Sequence, residues 1–142
     1  MKKKIMAVML VAGLMVMNYV STFAVVHQEI YIPRDQTWMT APNSVVNDGN
    51  YSYVGAGCNA VYPISGADNF TRIQVRVRNI NAISITEASV GYVVLNEADE
   101  DQRVDLKEGY ISNTPIYFQF RGNSSEPAYA NVNYYANVHI PE

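Results

Sequence analysis

Cysteine is almost absent. Cys58 is the only one among 142 residues, so no disulfide can close within the chain. Stability must then come from packing, and the default for a lone Cys is a small buried hydrophobe. A catalytic thiol is disfavoured, because neither His27 nor His139 lies near it in sequence. With two histidines, no His-x-His or His-x-x-x-His spacing and no Gly-x-Ser-x-Gly elbow, the sequence offers neither a triad base nor a zinc signature.

Positive charge is also scarce beyond the first few residues. Setting aside Lys2, Lys3 and Lys4 leaves seven Lys/Arg against thirteen Asp/Glu, a net charge of −6. That excludes a nucleic-acid or anionic-membrane footprint as the dominant partner surface. Helical periodicity is missing too, except at the N-terminus.

There, the three lysines precede an uncharged apolar run, Ile5 to Met17, and Thr22-Phe23-Ala24 presents small residues where a signal peptidase reads. Residues 1–24 are therefore expected to be a helical signal peptide cleaved after Ala24, too short to span a bilayer comfortably. No Cys follows the run, which argues against a lipoprotein. The short triple-lysine leader reads as bacterial, and the Asn-x-Ser/Thr sequons at Asn50, Asn69 and Asn123 are discounted accordingly. Residues 25–142 are expected to form a single domain, secreted, meeting the membrane only during export.

What the chain has is alternation. Ala128 to Ile140 alternates for thirteen residues, with Ala128, Ala130, Val132, Tyr134, Ala136, Val138 and Ile140 on one side and Tyr129, Asn131, Asn133, Tyr135, Asn137 and His139 on the other. A period of two is that of a strand with one buried and one wet face. Val26 to Ile32 and Pro115 to Arg121 alternate likewise, the latter with Ile116, Phe118 and Phe120 inward. Phe70 to Arg78 places Ile73, Val75 and Val77 opposite Arg72, Gln74, Arg76 and Arg78. Shorter strands are expected at Gln36 to Thr40, Asn59 to Ile64, Ile83 to Thr86, Gly91 to Asn96 and Arg103 to Leu106. Val93-Val94-Leu95 lacks alternation, as a strand buried on both sides or crossing between sheets would. Asn47-Asp48-Gly49-Asn50 predicts a type I′ hairpin turn, while Gly55 and Gly57 suggest a bulge or bend.

About eight to ten short strands in a chain of this size predict an all-β fold, an antiparallel β-sandwich rather than a closed barrel. An immunoglobulin-like Greek key is the favoured topology, with a jelly roll the alternative. The last two long strands are expected to pair as a hairpin, with Phe120 opposite Ala130, because an odd register would bury Asn131 and Asn133.

The candidate binding surface follows from that hairpin. Tyr117, Gln119 and Arg121 would stand beside Tyr129, Asn131, Asn133 and Tyr135 on one wet face. Tyrosine supplies flat contact area at low entropic cost, and Asn and Gln supply adaptable hydrogen bonds. Trp38 is expected in the core. Arg72, Arg76 and Arg78 are expected to pair with Glu87 or with the acidic stretch Glu97 to Asp105, with a bound anionic ligand as the alternative. That stretch lacks the Gly and Glu of a calcium loop and reads as solvated; its carboxylates are sequence neighbours, unlike a glycosidase pair.

Together these features predict a small non-catalytic β-sandwich that binds a protein or glycan outside the cell, with no cofactor or metal. Alternatives of a different kind are a subunit self-assembling through its edge strands and a secreted antimicrobial or toxin-like polypeptide.

Overall fold

The computed structural model describes residues 25–64 and 71–142, excluding the side chain of Pro63. The expected signal peptide, Phe70 and the Asn69 sequon lie outside the described residues. Nine strands form two antiparallel sheets: β1 (Val26–Ile32), β2 (Met39–Asp48), β3 (Tyr53–Pro63), β4 (Arg72–Ile80), β5 (Ile85–Glu87), β6 (Val93–Asn96), β7 (Gln102–Asp105), β8 (Ser112–Gly122) and β9 (Ala128–Tyr135). One sheet has the order β1-β9-β3-β7. The other runs β2-β8-β4, with β5 and β6 both paired to the far edge of β4.

The faces of the long strands are as alternation predicts. Ile116, Phe118, Phe120, Ala128, Ala130, Val132 and Tyr134 are all buried between the sheets. Their partners are not as predicted. β8 pairs with β2 and β4, and β9 with β1 and β3, so the expected hairpin does not form. The two strands face one another across the core instead. The rings of Phe118 and Tyr134 lie 4.9 Å apart, and Phe120 packs 6.0 Å from Tyr134. The alternation of β8 and β9 is satisfied equally by either arrangement, since both keep the same side chains inward.

The Asp-Gly turn is corrected in the same way. Gly49 has φ +91° and Asp48 Oδ1 accepts from the Asn50 amide at 2.9 Å, so a tight turn forms. It carries the chain from β2 in one sheet to β3 in the other, and joins no hairpin. Buried Asn47 anchors it by donating to the carbonyls of Tyr51 and Ile111, at 2.5 and 2.6 Å.

Three further expectations change. Val93-Val94-Leu95 buries Leu95 alone, because β6 lies at a sheet edge and Val94, opposite Gln74, faces outward. The last strand stops at Tyr135, and Asn137 adopts φ +64°. Residues 138–142 then fold back over the outer face of the β1-β9-β3-β7 sheet. Ile140 is buried there with Tyr53 and Tyr135 against Tyr51. The Ile140 amide donates to the Tyr53 hydroxyl at 3.2 Å, and the Arg103 guanidinium donates to the Ile140 carbonyl while lying 4.6 Å over the Tyr53 ring. Gly55 makes room: a Cβ at that position would run into the Tyr135 ring and the end of Ile140. Trp38 is the third change. It is half-buried on an outer face, with no place in the core.

Candidate functional site

Because β8 and β9 belong to different sheets, the seven residues expected on one surface divide between opposite sides of the sandwich. Tyr117, Gln119 and Arg121 lie on the outer face of the β2-β8-β4 sheet. Tyr129, Asn131, Asn133 and Tyr135 lie on the outer face of the other.

The second group gains neighbours from β1 and β3. Register places Tyr31 of β1 and Tyr62 of β3 on either side of Tyr129. The three rings form a row across three strands, 46%, 50% and 44% exposed for Tyr31, Tyr62 and Tyr129. Tyr31 meets Tyr129 edge to face at 5.7 Å. With strands spaced about 4.8 Å apart, such a row spans about 10 Å. Exposing three large rings side by side forfeits burial, whereas scattered single tyrosines would be ordinary.

Beside this row lies a polar depression. A bulge in β3 between Cys58 and Ala60 projects Asn59 toward β9. The Asn133 side-chain oxygen accepts from Asn59 Nδ2 at 2.9 Å and from His27 Nδ1 at 2.7 Å, which fixes the amide and orients both neighbours. Asn131 Nδ2 donates to the Tyr62 hydroxyl at 3.4 Å, linking the polar groups to the ring row. His27, Glu29, Asn59 and Asn131 line an open hollow of about 290 Å³. Donors and acceptors held beside exposed rings are what a polyhydroxylated or peptide ligand would engage.

Tyr135 does not join this surface. The terminal segment covers it, and burial, with the Asp101 carboxylate next, pushes its phenol well above the ordinary value. A larger hollow of about 630 Å³ opens beside that segment, lined by Asp101, Arg103, Tyr135, His139 and Glu142 among others. Part of its wall is an ion pair between Arg103 and exposed Glu142, at 3.1 Å. Among the described residues it gathers no row of exposed rings, so the tyrosine face is the better candidate.

On the opposite face Gln119 is buried beneath two longer side chains. Its Oε1 accepts from Arg76 Nε at 2.9 Å, and its Nε2 donates to Thr40 Oγ1 at 2.9 Å. Arg121 Nε donates to Gln74 Oε1 at 2.5 Å. Both guanidinium groups lie over the Trp38 ring, at 4.1 Å for Arg76 and 4.4 Å for Arg121. Desolvation, and then the Arg78 cation, press the Arg76 pKa down, with Glu87 opposing and Arg121 adding to the effect. The expected arginine ion pairs are not formed. Register sets Arg78 opposite Glu87, but Glu87 takes Lys107 at 3.5 Å, and Arg78 Nε is buried without a partner among the described residues.

The remaining candidates are dispersed. His27 bonds Asn133, while His139 lies in the terminal segment against the Tyr51 ring. Among the described residues no three His, Cys, Asp or Glu side chains gather as a metal site requires. Cys58 is buried, and burial with the nearby Glu97 carboxylate raises its thiol to about 11. No protein family, curated protein or solved structure matches the chain.

Tyr31, Tyr62, His27, Glu29 and Asn59 escaped selection from sequence. Alternation in β1 does put His27, Glu29 and Tyr31 on one face. Their union with Tyr129 and Asn133 depends on pairing between residues about a hundred positions apart, which local pattern does not encode.

Proposed function

We propose that this protein is an exported, non-catalytic β-sandwich that binds a glycan outside the cell through the Tyr31–Tyr129–Tyr62 row. Export rests on the basic-then-apolar character of residues 1–24 and the small residues before Val25. The reading is non-catalytic because the hollow beside the row is lined by a single carboxylate, Glu29, among the described residues, where glycoside hydrolysis needs a pair.

We infer further that the topology is a jelly roll, the alternative to the immunoglobulin-like Greek key favoured from sequence. The support is the order of strands. If β5 and β6 are taken as one interrupted strand, the sheets read first-last-third-sixth and second-seventh-fourth-fifth, the pattern of a doubled Greek key. An immunoglobulin sandwich would keep several sequence neighbours side by side, and here β4 with its following strand is the single such pair among the described strands.

The observation that carries the glycan reading is the ring row itself. Sugar rings present C–H faces that pack on aromatic surfaces, and their hydroxyls need nearby amide and imidazole partners, which Asn131, Asn59 and His27 offer. The test is retention of the purified protein on a panel of neutral polysaccharides, repeated with Tyr31→Ala, Tyr62→Ala and Tyr129→Ala. The central Tyr129→Ala should weaken binding by about tenfold, with melting temperature little changed because the ring is exposed. Capture that survives all three changes would refute the reading.

One observation favours self-assembly as a second reading. Among the described residues β1 is a regular seven-residue strand whose one strand partner is β9, which leaves its other edge without a strand partner among them. Gel filtration over a wide concentration range decides it: a constant monomer volume removes it.

A further inference from the structure

Among the described residues, the outer face of the β2-β8-β4 sheet gathers four of the seven Lys and Arg side chains. Arg72, Arg76 and Arg78 stand along β4, and Arg121 projects from β8 beside Gln74. Among the described residues none of the four has a carboxylate within ion-pair distance, and Glu87, which lies nearest in register, is engaged by Lys107. Alternate residues on a strand lie about 7 Å apart, so these cations repel one another.

The two central guanidinium groups are also held in place. Arg76 is fixed through Nε by Gln119, which Thr40 holds in turn, and lies on Trp38. Arg121 is fixed through Nε by Gln74 and sits over both Trp38 and Tyr92, 5.4 Å from the latter. Each therefore has its Nε bonded and its plane packed on an aromatic ring, and among the described residues no bond is formed by its terminal amino groups. A guanidinium immobilised in this way presents a fork that matches the two oxygens of a carboxylate, with much of its entropy already lost.

We propose that this face binds a carboxylate-bearing polysaccharide, gripped by the Arg76 and Arg121 forks and lying along the arginines of β4. A linear polymer with a carboxylate on successive sugars meets cations arrayed along a strand in a way a single small anion does not. A nucleic acid fits less well, for two reasons. Guanidinium groups already occupy the Trp38 ring where a base would stack, and the chain's net negative charge opposes a dense polyphosphate. The site lies on the opposite side of the sandwich from the tyrosine row and does not depend on it.

Trp38 is the only tryptophan, so its fluorescence reports on this site alone. The experiment titrates the purified protein with polygalacturonate, with fully methyl-esterified polymer and dextran sulfate as the other arms. The expected result is a saturable change in emission with polygalacturonate, weakened by salt and absent with the ester. Arg76→Gln with Arg121→Gln should lower affinity at least about tenfold in a folded protein whose melting temperature drops somewhat, because buried Gln119 and Gln74 lose their partners, and Tyr129→Ala should leave the affinity unaltered. If the double Gln variant does not fold, Arg76→Lys with Arg121→Lys keeps the charge, removes the forks and should show a comparable loss. The proposal is overturned by no emission change, by equal binding of the ester, by preference for the sulfated polymer, or by full affinity in the folded Gln or Lys variant.

Discussion

Cys58 illustrates how burial of one side chain becomes a property of the whole fold. The thiol sits in the core, its Sγ within 3.7 Å of the Ala60 carbonyl, and the environment raises it from 9.0 to about 11. At neutral pH the thiol is protonated whether the chain is folded or not, so it contributes no pH dependence there. Between 9.0 and about 11 the unfolded chain releases this proton while the folded one retains it, and stability must fall as pH rises. Tyr134 and Tyr135, both held above their ordinary values mainly by burial, push in the same direction at still higher pH. Denaturant midpoints measured from neutral pH upward should therefore decline through this window. A thiol reagent should leave Cys58 unmodified near pH 8 and label it rapidly once denaturant is added. Rapid labelling of the native protein at that pH would mean the thiol is not enclosed.

At the scale of elements, alternation revealed which way side chains point and left open what each strand pairs with. Phe118 and Phe120 point inward, as do Ala130 and Val132, in keeping with the parity of β8 and β9. Parity holds equally for a hairpin and for two strands facing across a core, so the pattern could not separate them. What decides is the occupation of both edges of each strand by partners distant in sequence, β2 and β4 for one and β1 and β3 for the other. The same blindness split the candidate surface, keeping Tyr129, Asn131 and Asn133 together while sending Tyr117, Gln119 and Arg121 to the far side. It also extended β9 too far, since Val138 and Ile140 continue the alternation in letters while the chain has already turned at Asn137. The terminal segment that follows has its own energetics. Of residues 138–142 only Ile140 is buried, so the segment is held only marginally. Removing Val138 to Glu142 should cost no more than about 1–2 kcal/mol in chemical denaturation. It should also let Tyr135 titrate closer to its ordinary value, because burial is the first cause of its shift. A loss of several kcal/mol would instead make the segment integral to the core.

For the molecule as a whole, the consequence of two sheets packed face to face is that its two outer surfaces point apart. The ring row of Tyr31, Tyr129 and Tyr62 and the arginine face of Arg76 and Arg121 are separated by a core filled with Phe118, Phe120 and Tyr134. No side chain on one face reaches the other, and sites this far apart without shared partners behave additively. Tyr129→Ala and Arg121→Gln should thus affect different ligands, and the double variant should show each loss unchanged in size. If both proposed sites bind, the arrangement would let one molecule hold two polymers at once, one neutral and one carboxylated, without competition. Adding the protein to a mixture of both polymers should then produce crosslinking, seen as rising turbidity or viscosity, which either single variant weakens and excess salt reverses. Were each polymer bound singly yet the mixture never crosslinked, the two faces could not be occupied together, and one of the assigned surfaces would have to be abandoned.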